Sequence, residues 1–474
     1  MADRIRAMQR RTLLLATVTL PLATPALAQP PQQGEVLAPG WRMDLLARWG
    51  DGITADAPPW NPAAPDADAA AAQFGWDGRV VAALAPPRAT DGIPRAILAI
   101  THPGVDPAMA FPDGRDRPDV AAAMQGASII NLENRSGGWA VSAGGFQSRR
   151  LHGATLCRAA GPGAARMGGA IRGVFGLDGG CAAPPDRLLM AEGQASDWEP
   201  RLPGRVGTSQ AGGQAWGWVV ECDAADPGAI PVKRSALGRG ASDLAATLTA
   251  DGRLAVFMAH AAGLARFISA GPASDPDALD QGMLWAGRFG GAGLEWQALA
   301  ADAWADLPAA LSAAGATRSA GSLSLSFGPF GLLAAASGGG LMAWRPSDAG
   351  SNTYPHAALG GRTPLAGQSA AVAVPGGRIW LGSEPVPGQA GGVWRGDGDP
   401  RPVLAMPRGA GAGGLVLSPD SRTLFTVIRA PGREPGREPG REPGRSFARP
   451  ATRWPDFTPG LPPRSALVAL HGGL

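Results

Sequence analysis

Short apolar stretches, each introduced by a polar turn, recur along most of this chain. In the clearest case, the turn Pro419 to Arg422 leads directly into the strand-like run Thr423 to Ile428. Asp and Ser favour turns because their side chains hydrogen-bond nearby backbone, whereas β-branched and aromatic residues favour half-buried strands. The same order of turn and apolar run occurs at residues 76–84, 250–258 and 375–381. This repeated unit predicts an all-β fold, first of all a β-propeller, although a two-sheet sandwich or several small β domains would use the same turns.

One stretch departs from the strand pattern. Residues 296–313 are rich in Ala and Leu and are followed by Gly315, which predicts one helical insertion. Residues 126–133 and 137–141 predict a hairpin that turns at residues 134–137. The last apolar run, Ser465 to Leu470, predicts a C-terminal strand that completes the blade begun by the N-terminal residues and so closes the ring.

The N-terminus has the pattern of a twin-arginine export signal. Arg10 and Arg11 precede an apolar segment that reaches Leu22, and residues 26–28 have the small side chains of a cleavage site. An ordinary secretory signal is the alternative interpretation. We expect residues 1–28 to be removed on export to the periplasm or out of the cell, and residues 29–474 to form a single domain.

Two segments of the mature chain are expected to lack regular structure. Residues 29–70 are rich in Pro and Ala and are expected to wrap or cap the fold irregularly. Residues 431–445 repeat Pro-Gly-Arg-Glu, and this alternation of charges cannot bury a face. We therefore predict a low-complexity surface loop there.

The composition mainly excludes certain kinds of protein and site. The 70 glycines and 46 prolines fit a fold with many turns and few long helices. The formal charge of +3 disappears with the signal segment, which itself carries +3, so the near-neutral mature chain is not expected to bind nucleic acid. No segment after the signal is apolar enough to span a membrane. The spacing of Cys157, Cys181 and Cys222 does not match a zinc site.

Seven short motifs occur in the same order as in the PhoX-type alkaline phosphatases, a family exported by the twin-arginine route. They are RWGD at 48–51, QFGW at 73–76, GWVVE at 217–221, PVKRSALGR at 231–239, LDQGML at 279–284, SPDSRTLF at 418–425 and RWPD at 453–456. Each motif alone is weak, but the ordered set resembles the family specifically. The resemblance implies a propeller of about six blades. It also implies hydrolysis of phosphate monoesters with a cluster of iron and calcium ions, which requires many carboxylates.

Several positions where the family carries metal ligands hold other residues here. Where the family has Asn-His-Glu-Tyr, residues 101–104 read Thr-His-Pro-Gly, so the Glu is absent. Of two paired family Glu residues only Glu192 remains, and Asp178 stands at the position of a family Cys. Asp243 ends the segment that resembles Gly-Arg-Phe-x-His-Glu. The candidate metal ligands are therefore His102, Asp178, Glu192, Asp243 and Glu384.

Three functions are compatible with this pattern. The preferred one is an exported PhoX-type homologue whose metal-ligand set is too depleted for the family's phosphomonoester hydrolysis. The second is an active metal-dependent phosphatase with a reduced or altered metal site. The third is a non-catalytic propeller that binds a sugar, a peptide or another envelope partner. A carboxylate-lined central pocket would favour metal chemistry, whereas an apolar or arginine-lined pocket would favour ligand binding without metal. We expect a monomer, with a phosphate ester or another small molecule as its partner in the first two cases.

Overall fold

The structure is a computed structural model that describes residues 30–87, 90–142, 144–202, 215–319, 321–359, 364–396, 398–433 and 446–473. The predicted signal segment and residues 434–445 of the predicted low-complexity loop lie outside these ranges. Within them, the strands form six sheets arranged as a six-bladed β-propeller, which confirms the predicted fold class. No helix in the described ranges is both long and apolar enough to cross a membrane.

The strands follow the chain from blade to blade. Two N-terminal strands, β1 (Val36–Leu37) and β2 (Arg42–Arg48), join the last two blades. Blade 1 contains β3 (Arg79–Leu84), β4 (Arg95–His102), β5 (Gly126–Arg135), β6 (Gly138–Val141) and β7 (Arg149–Leu151). Blade 2 contains β8 (Leu156–Ala160), β9 (Ala170–Arg172), β10 (Gly180–Ala183), β11 (Arg187–Ala191), β12 (Val219–Asp223) and β13 (Val232–Arg234). Blade 3 contains β14 (Asp243–Leu248), β15 (Arg253–His260), β16 (Gly263–Pro272), β17 (Gly282–Gly290) and β18 (Gly293–Ala298).

The remaining three blades complete the ring. Blade 4 contains β19 (Leu323–Gly328), β20 (Gly331–Ala336) and β21 (Leu341–Trp344), after which β22 (Thr353–Pro355) returns to the edge of blade 3. Blade 5 contains β23 (Gln368–Ala373), β24 (Ile379–Ser383), β25 (Gly392–Arg395) and β26 (Arg401–Ala405), with β1 at its edge. Blade 6 contains β27 (Gly411–Leu417), β28 (Leu424–Arg429) and β29 (Ala466–His471), with β2 at its edge.

The helices of the described chain are short. They are α1 (Ala67–Ala72), α2 (Pro107–Ala110), α3 (Pro118–Met124), α4 (Ala164–Met167) and α5 (Leu307–Ala313). Three single turns of 3-10 helix occupy Ala195–Asp197, Ser235–Leu237 and Ala303–Asp306.

One strand of each blade surrounds the central axis. These innermost strands are β3, β10, β14, β19, β23 and β27, and each packs beside the next until β27 meets β3. They enclose a cavity of about 200 Å³. Apolar side chains fill the space between blades. One such cluster joins Trp380 and Val393 of blade 5 to Leu424 and Val468 of blade 6.

The two ends of the chain close the ring together, as predicted. Strand β29 lies between β28 and β2, and its pairing with β2 runs from Arg42 opposite His471 to Arg48 opposite Ala466. The predicted hairpin is also present, with β5 and β6 joined through Ser136 and Gly137. Both of these residues have positive φ, the conformation that a tight turn between paired strands requires.

Two predictions of local structure are corrected. Residues 296–298 belong to strand β18, which pairs with β17 and β22, and the predicted helix begins only at Leu307. Trp296 lies in the core of blade 3, and the Asp306 carboxylate caps the helix by accepting the Ala309 backbone N–H at 3.2 Å. Residues 29–70 are not irregular throughout, because they contain β1 and β2.

Candidate functional site at the channel mouth

Six charged side chains meet at one end of the central cavity, where strands β3, β10 and β14 begin. The cavity is called the channel, and this end of it is the channel mouth. Strands β24 and β28 end at the same place. The group, called the channel-mouth network, consists of Asp77, Arg79, Asp178, Asp243, Glu384 and Arg429. Each side chain is at or next to a strand end, where propeller loops converge.

Arg79 connects the first three blades. From the start of β3, its guanidinium group pairs with Asp178 at 3.0 Å and with Asp243 at 3.3 Å. The Arg79 side chain is only 15% exposed. Burial opposes its charged form, but the two carboxylates outweigh burial and raise the pKa of Arg79 above its ordinary value. Arg79 is therefore a fixed positive charge between two aspartates.

Asp243 is almost completely enclosed. Its Oδ1 accepts the backbone N–H groups of Leu244 at 2.9 Å and Gly180 at 3.1 Å, and its Oδ2 accepts that of Leu325 at 3.1 Å. Burial raises the pKa of Asp243 above its ordinary value, although Arg79 acts in the opposite direction. Asp243 thus joins the inner strands of blades 2, 3 and 4 while pairing with Arg79 of blade 1.

Arg429 makes the second set of ion pairs. At the end of β28, the Arg429 guanidinium group donates hydrogen bonds to both carboxylate oxygens of Asp77, at 2.5 and 3.2 Å. A third contact reaches Glu384 of blade 5 at 3.3 Å. Burial opposes the charged form of Arg429, but Asp77 and Glu384 raise its pKa above the ordinary value. The Glu384 side chain is 42% exposed and is the most accessible of the six.

Lone pairs of Glu192 are already used by four donors. Its Oε1 accepts the Lys233 ammonium at 2.7 Å and the Phe175 N–H at 3.0 Å. Its Oε2 accepts the N–H groups of Gly217 at 2.9 Å and Trp218 at 3.2 Å. The Glu192 and Lys233 side chains are fully buried. This carboxylate therefore holds the end of β11 to the start of β12.

His102 is enclosed beneath the channel mouth. One ring nitrogen contacts the Asp77 carbonyl, the other lies 2.8 Å from Ser128 Oγ, and the ring packs edge-on against Phe74. Burial lowers the pKa of His102 well below its ordinary value, and Arg150 lowers it further. The imidazole is neutral, and both nitrogens already have partners.

The structure therefore brings three of the five predicted ligands together. Asp178, Asp243 and Glu384 belong to the channel-mouth network, whereas Glu192 and His102 are enclosed beside it with partners of their own. Across the described ranges, no group of three or more His, Cys, Asp or Glu side chains is arranged to hold a metal ion. The predicted roles of the five residues as ligands stay predictions.

Sequence reasoning missed Asp77, Arg79 and Arg429. A signal was available, because Asp77 and Arg79 lie in the turn before β3 and Arg429 directly follows the run 423–428. Charged residues at the ends of propeller strands face the end of the channel. The channel mouth is thus lined by both carboxylates and arginines, a mixture that neither of the two expected pocket types describes.

Comparison with solved structures found a strong match in overall fold. The structure of Pseudomonas fluorescens PhoX in complex with vanadate, a transition state analogue, has a TM-score of 0.78 and 20% identity. The match covers 94% of this chain and 97% of that one. An unknown-function protein from Dyadobacter fermentans has a TM-score of 0.37 and 11% identity, with 92% of this chain and 100% of that one covered. No curated protein matched the sequence.

A family comparison covers most of the sequence. The model of the family described as alkaline phosphatase PhoX matches residues 23–354, well over half of the 474 residues. The six-bladed fold and the 0.78 TM-score are consistent with that match. This chain therefore belongs to the PhoX alkaline phosphatase family.

Proposed function

We propose that this protein is an exported PhoX-family propeller that does not hydrolyse phosphate monoesters with a cluster of iron and calcium ions. Its channel mouth instead binds another small molecule, one that presents a neutral or cationic group to the excess of carboxylates. The observation that carries the proposal is the pairing of the channel-mouth carboxylates with Arg79 and Arg429. Residues 1–28, with their paired arginines, support export to the periplasm or out of the cell.

The donor groups do not fit a cluster of several hard cations. Iron and calcium need carboxylate oxygens with free lone pairs. Asp243 gives its oxygens to three backbone N–H groups and Arg79, and Glu192 gives its oxygens to four donors. A cation at either site would have to displace donors already bound within a buried environment.

The balance of charge also opposes phosphate ester hydrolysis. The channel-mouth network contains four carboxylates and two guanidinium groups, so negative charge is in excess. A phosphate monoester is a dianion near neutral pH, and this excess repels it unless further cations are supplied. A neutral or cationic group would experience no such repulsion at the exposed Glu384.

One observation favours the second candidate, a phosphatase with a reduced metal site. Asp178, Asp243 and Glu384 are three predicted ligands that reach the same channel mouth. One or two divalent cations could activate a water molecule without the full cluster. The two arginines argue against it, because a cation would share the carboxylates with fixed positive charges.

The test is the metal content and hydrolytic activity of the mature wild-type protein. It is purified from the periplasm without chelators, its N-terminus is sequenced, and bound metals are measured by elemental mass spectrometry. Hydrolysis of p-nitrophenyl phosphate is then followed with and without added iron and calcium. We expect an N-terminus at Gln29, substoichiometric metal and no turnover above the blank.

Pseudomonas fluorescens PhoX, whose structure was determined with a transition state analogue, is prepared in parallel as the positive control for turnover. Stoichiometric iron and calcium together with hydrolysis would overturn the proposal and establish the full-cluster enzyme. One or two bound cations with hydrolysis would instead establish the second candidate.

A further inference from the structure

All six blades contribute to the contacts of the channel-mouth network. Blade 1 provides Asp77 and Arg79, and blades 5 and 6 provide Glu384 and Arg429. Asp178 precedes β10 of blade 2, and Asp243 begins β14 of blade 3. Blade 4 takes part through the backbone N–H of Leu325, which donates to Asp243. The network is therefore a shared centre of the ring.

Converging carboxylates need positive charge between them. Like charges at short range in a partly buried site are strongly unfavourable, and proteins relieve this with bound cations, protonation or cationic side chains. Here each arginine bridges carboxylates from two different blades: Arg79 those of blades 2 and 3, Arg429 those of blades 1 and 5. A guanidinium group remains charged at every physiological pH and offers several N–H donors in one plane.

The two arginines are close enough to act on the same carboxylates. Arg429 lowers the pKa of Arg79, and Asp178 contributes to raising the pKa of Arg429. Their charges therefore act on one continuous site rather than on two separate ion pairs. The space next to Asp178 and Asp77 is occupied by guanidinium groups at 3.0 and 2.5 Å, the contact distances of direct hydrogen bonds.

We propose that Arg79 and Arg429 are the permanent cations of this channel mouth and keep divalent metal ions out of it. Removing both guanidinium groups then releases Asp77, Asp178 and Glu384, whose side chains can turn towards a shared calcium ion. The inference rests on the proposed function, because it gives a physical reason for the proposed lack of a metal cluster in the wild type. It goes further because it assigns the exclusion of metal ions to two side chains. It also predicts that replacing these two side chains allows the site to bind a metal ion.

The experiment uses the full mature chain and Ca²⁺ alone as the probe. Calcium binding is measured by isothermal titration calorimetry for the wild type and for Arg79→Gln/Arg429→Gln, after circular dichroism has verified the fold. Glutamine removes the charge but keeps a polar side chain of moderate length. We expect the double variant to bind Ca²⁺ at least tenfold more tightly than the wild type, with a Kd on the order of 0.1–1 mM, typical of extracellular calcium sites.

Two further variants make the result specific. Arg95→Gln is the matched control, because Arg95 also bridges two carboxylates, Asp91 and Glu133, but lies away from the channel. It should leave calcium affinity unchanged. Adding Asp178→Asn to the double variant should remove most of the gained affinity, because Asp178 loses its arginine partner and has no backbone donors comparable to those of Asp243. A folded double variant that binds Ca²⁺ no better than the wild type overturns the inference.

A fallback covers the case in which the double variant does not fold. Arg429 is 23% exposed, so Arg429→Gln alone disturbs the interior less and still releases Asp77 and Glu384. We expect a severalfold gain in calcium affinity, and no gain in the folded single variant overturns the inference. Failure here is distinct from failure of the proposed function, which is decided by metal content and turnover of the unaltered wild type.

Discussion

Lys233 is the only lysine in the chain, and its ammonium group is fully enclosed. It donates to Glu192 at 2.7 Å and to the Ala215 carbonyl at 2.9 Å. An arginine at this position would need room for a larger planar group, whereas ammonium is compact and can direct its donors to both partners. The pair fixes the end of β11 against the start of β12 beside the channel mouth.

Lys233→Met should lower the free energy of unfolding by about 3–5 kcal/mol, because it leaves the Glu192 carboxylate buried without its counter-charge. Glu192→Gln should cost a similar amount, because it leaves the Lys233 ammonium without its counter-charge, and the double variant should cost less than the sum of the two changes. Urea unfolding at pH 7 measures all three. Asp91→Asn is the control, because it breaks the ion pair between Arg95 and the exposed Asp91, and it should change the free energy of unfolding little. Additive costs would contradict the assigned coupling.

His260 is a second buried group of consequence. Neither ring nitrogen has a hydrogen-bond partner within the described residues, and burial lowers the pKa of His260 to about 4. In the unfolded chain the ordinary value of 6.5 applies, so the unfolded state takes up a proton first as the pH falls. This neutral histidine therefore contributes stability above pH 6.5 that is lost progressively down to about pH 4.

His260→Leu should weaken the acid sensitivity of the fold. Between pH 6.5 and 4 one such group lowers the free energy of unfolding by about 1.4 kcal/mol for each unit of pH. Between pH 7 and pH 5 the variant should therefore lose about 2 kcal/mol less unfolding free energy than the wild type. At pH 7 the substitution should cost little, since neither ring nitrogen of His260 has a hydrogen-bond partner of good geometry among the described residues. His356→Leu, at an exposed position, is the control. Equal pH dependence in the wild type and His260→Leu would refute the assignment.

At the scale of elements, the strands were more predictable than their surroundings. The runs at 80–84, 254–258, 379–381 and 423–428 all became strands, because turn chemistry and strand preference agree there. The helix boundary was misplaced because residues 296–298 pair with strands distant in sequence, and pairing partners leave no local pattern. Short strands β1 and β2 were missed for the same reason.

The candidate site was also predictable only in part: some of its residues could be selected from the sequence, but their partners could not. The family resemblance selected Asp178 and Asp243 as candidates, and the structure brings both to the channel mouth with Glu384 because the ends of propeller strands converge there. Which side chains pair with them depends on distances across the ring that the sequence does not contain. Arg429 and Asp77 are 352 positions apart, yet their ion pair is among the shortest of the site.

At the scale of the whole molecule, the ring is held by β29. It is paired on one side with β28 and on the other with β2, so it joins the two ends of the chain within blade 6. Residues 466–470 are all fully buried. Without this strand, β2 would lose its partner, and the apolar cluster between blades 5 and 6 would be exposed.

Deletion of residues 466–474 should therefore abolish the cooperative unfolding transition of the whole propeller, rather than only loosening its last blade. A closed ring has no terminal blade that can separate at low cost, because each innermost strand packs between two others. Differential scanning calorimetry provides the measurement. Deletion of residues 473–474 is the control and should keep Tm close to that of the wild type, since strand β29 ends at His471. The prediction fails if the longer deletion still unfolds in a single sharp transition near the wild-type Tm. The five remaining complete blades would then be stable by themselves, and closure by β29 would not be the cause of cooperative unfolding.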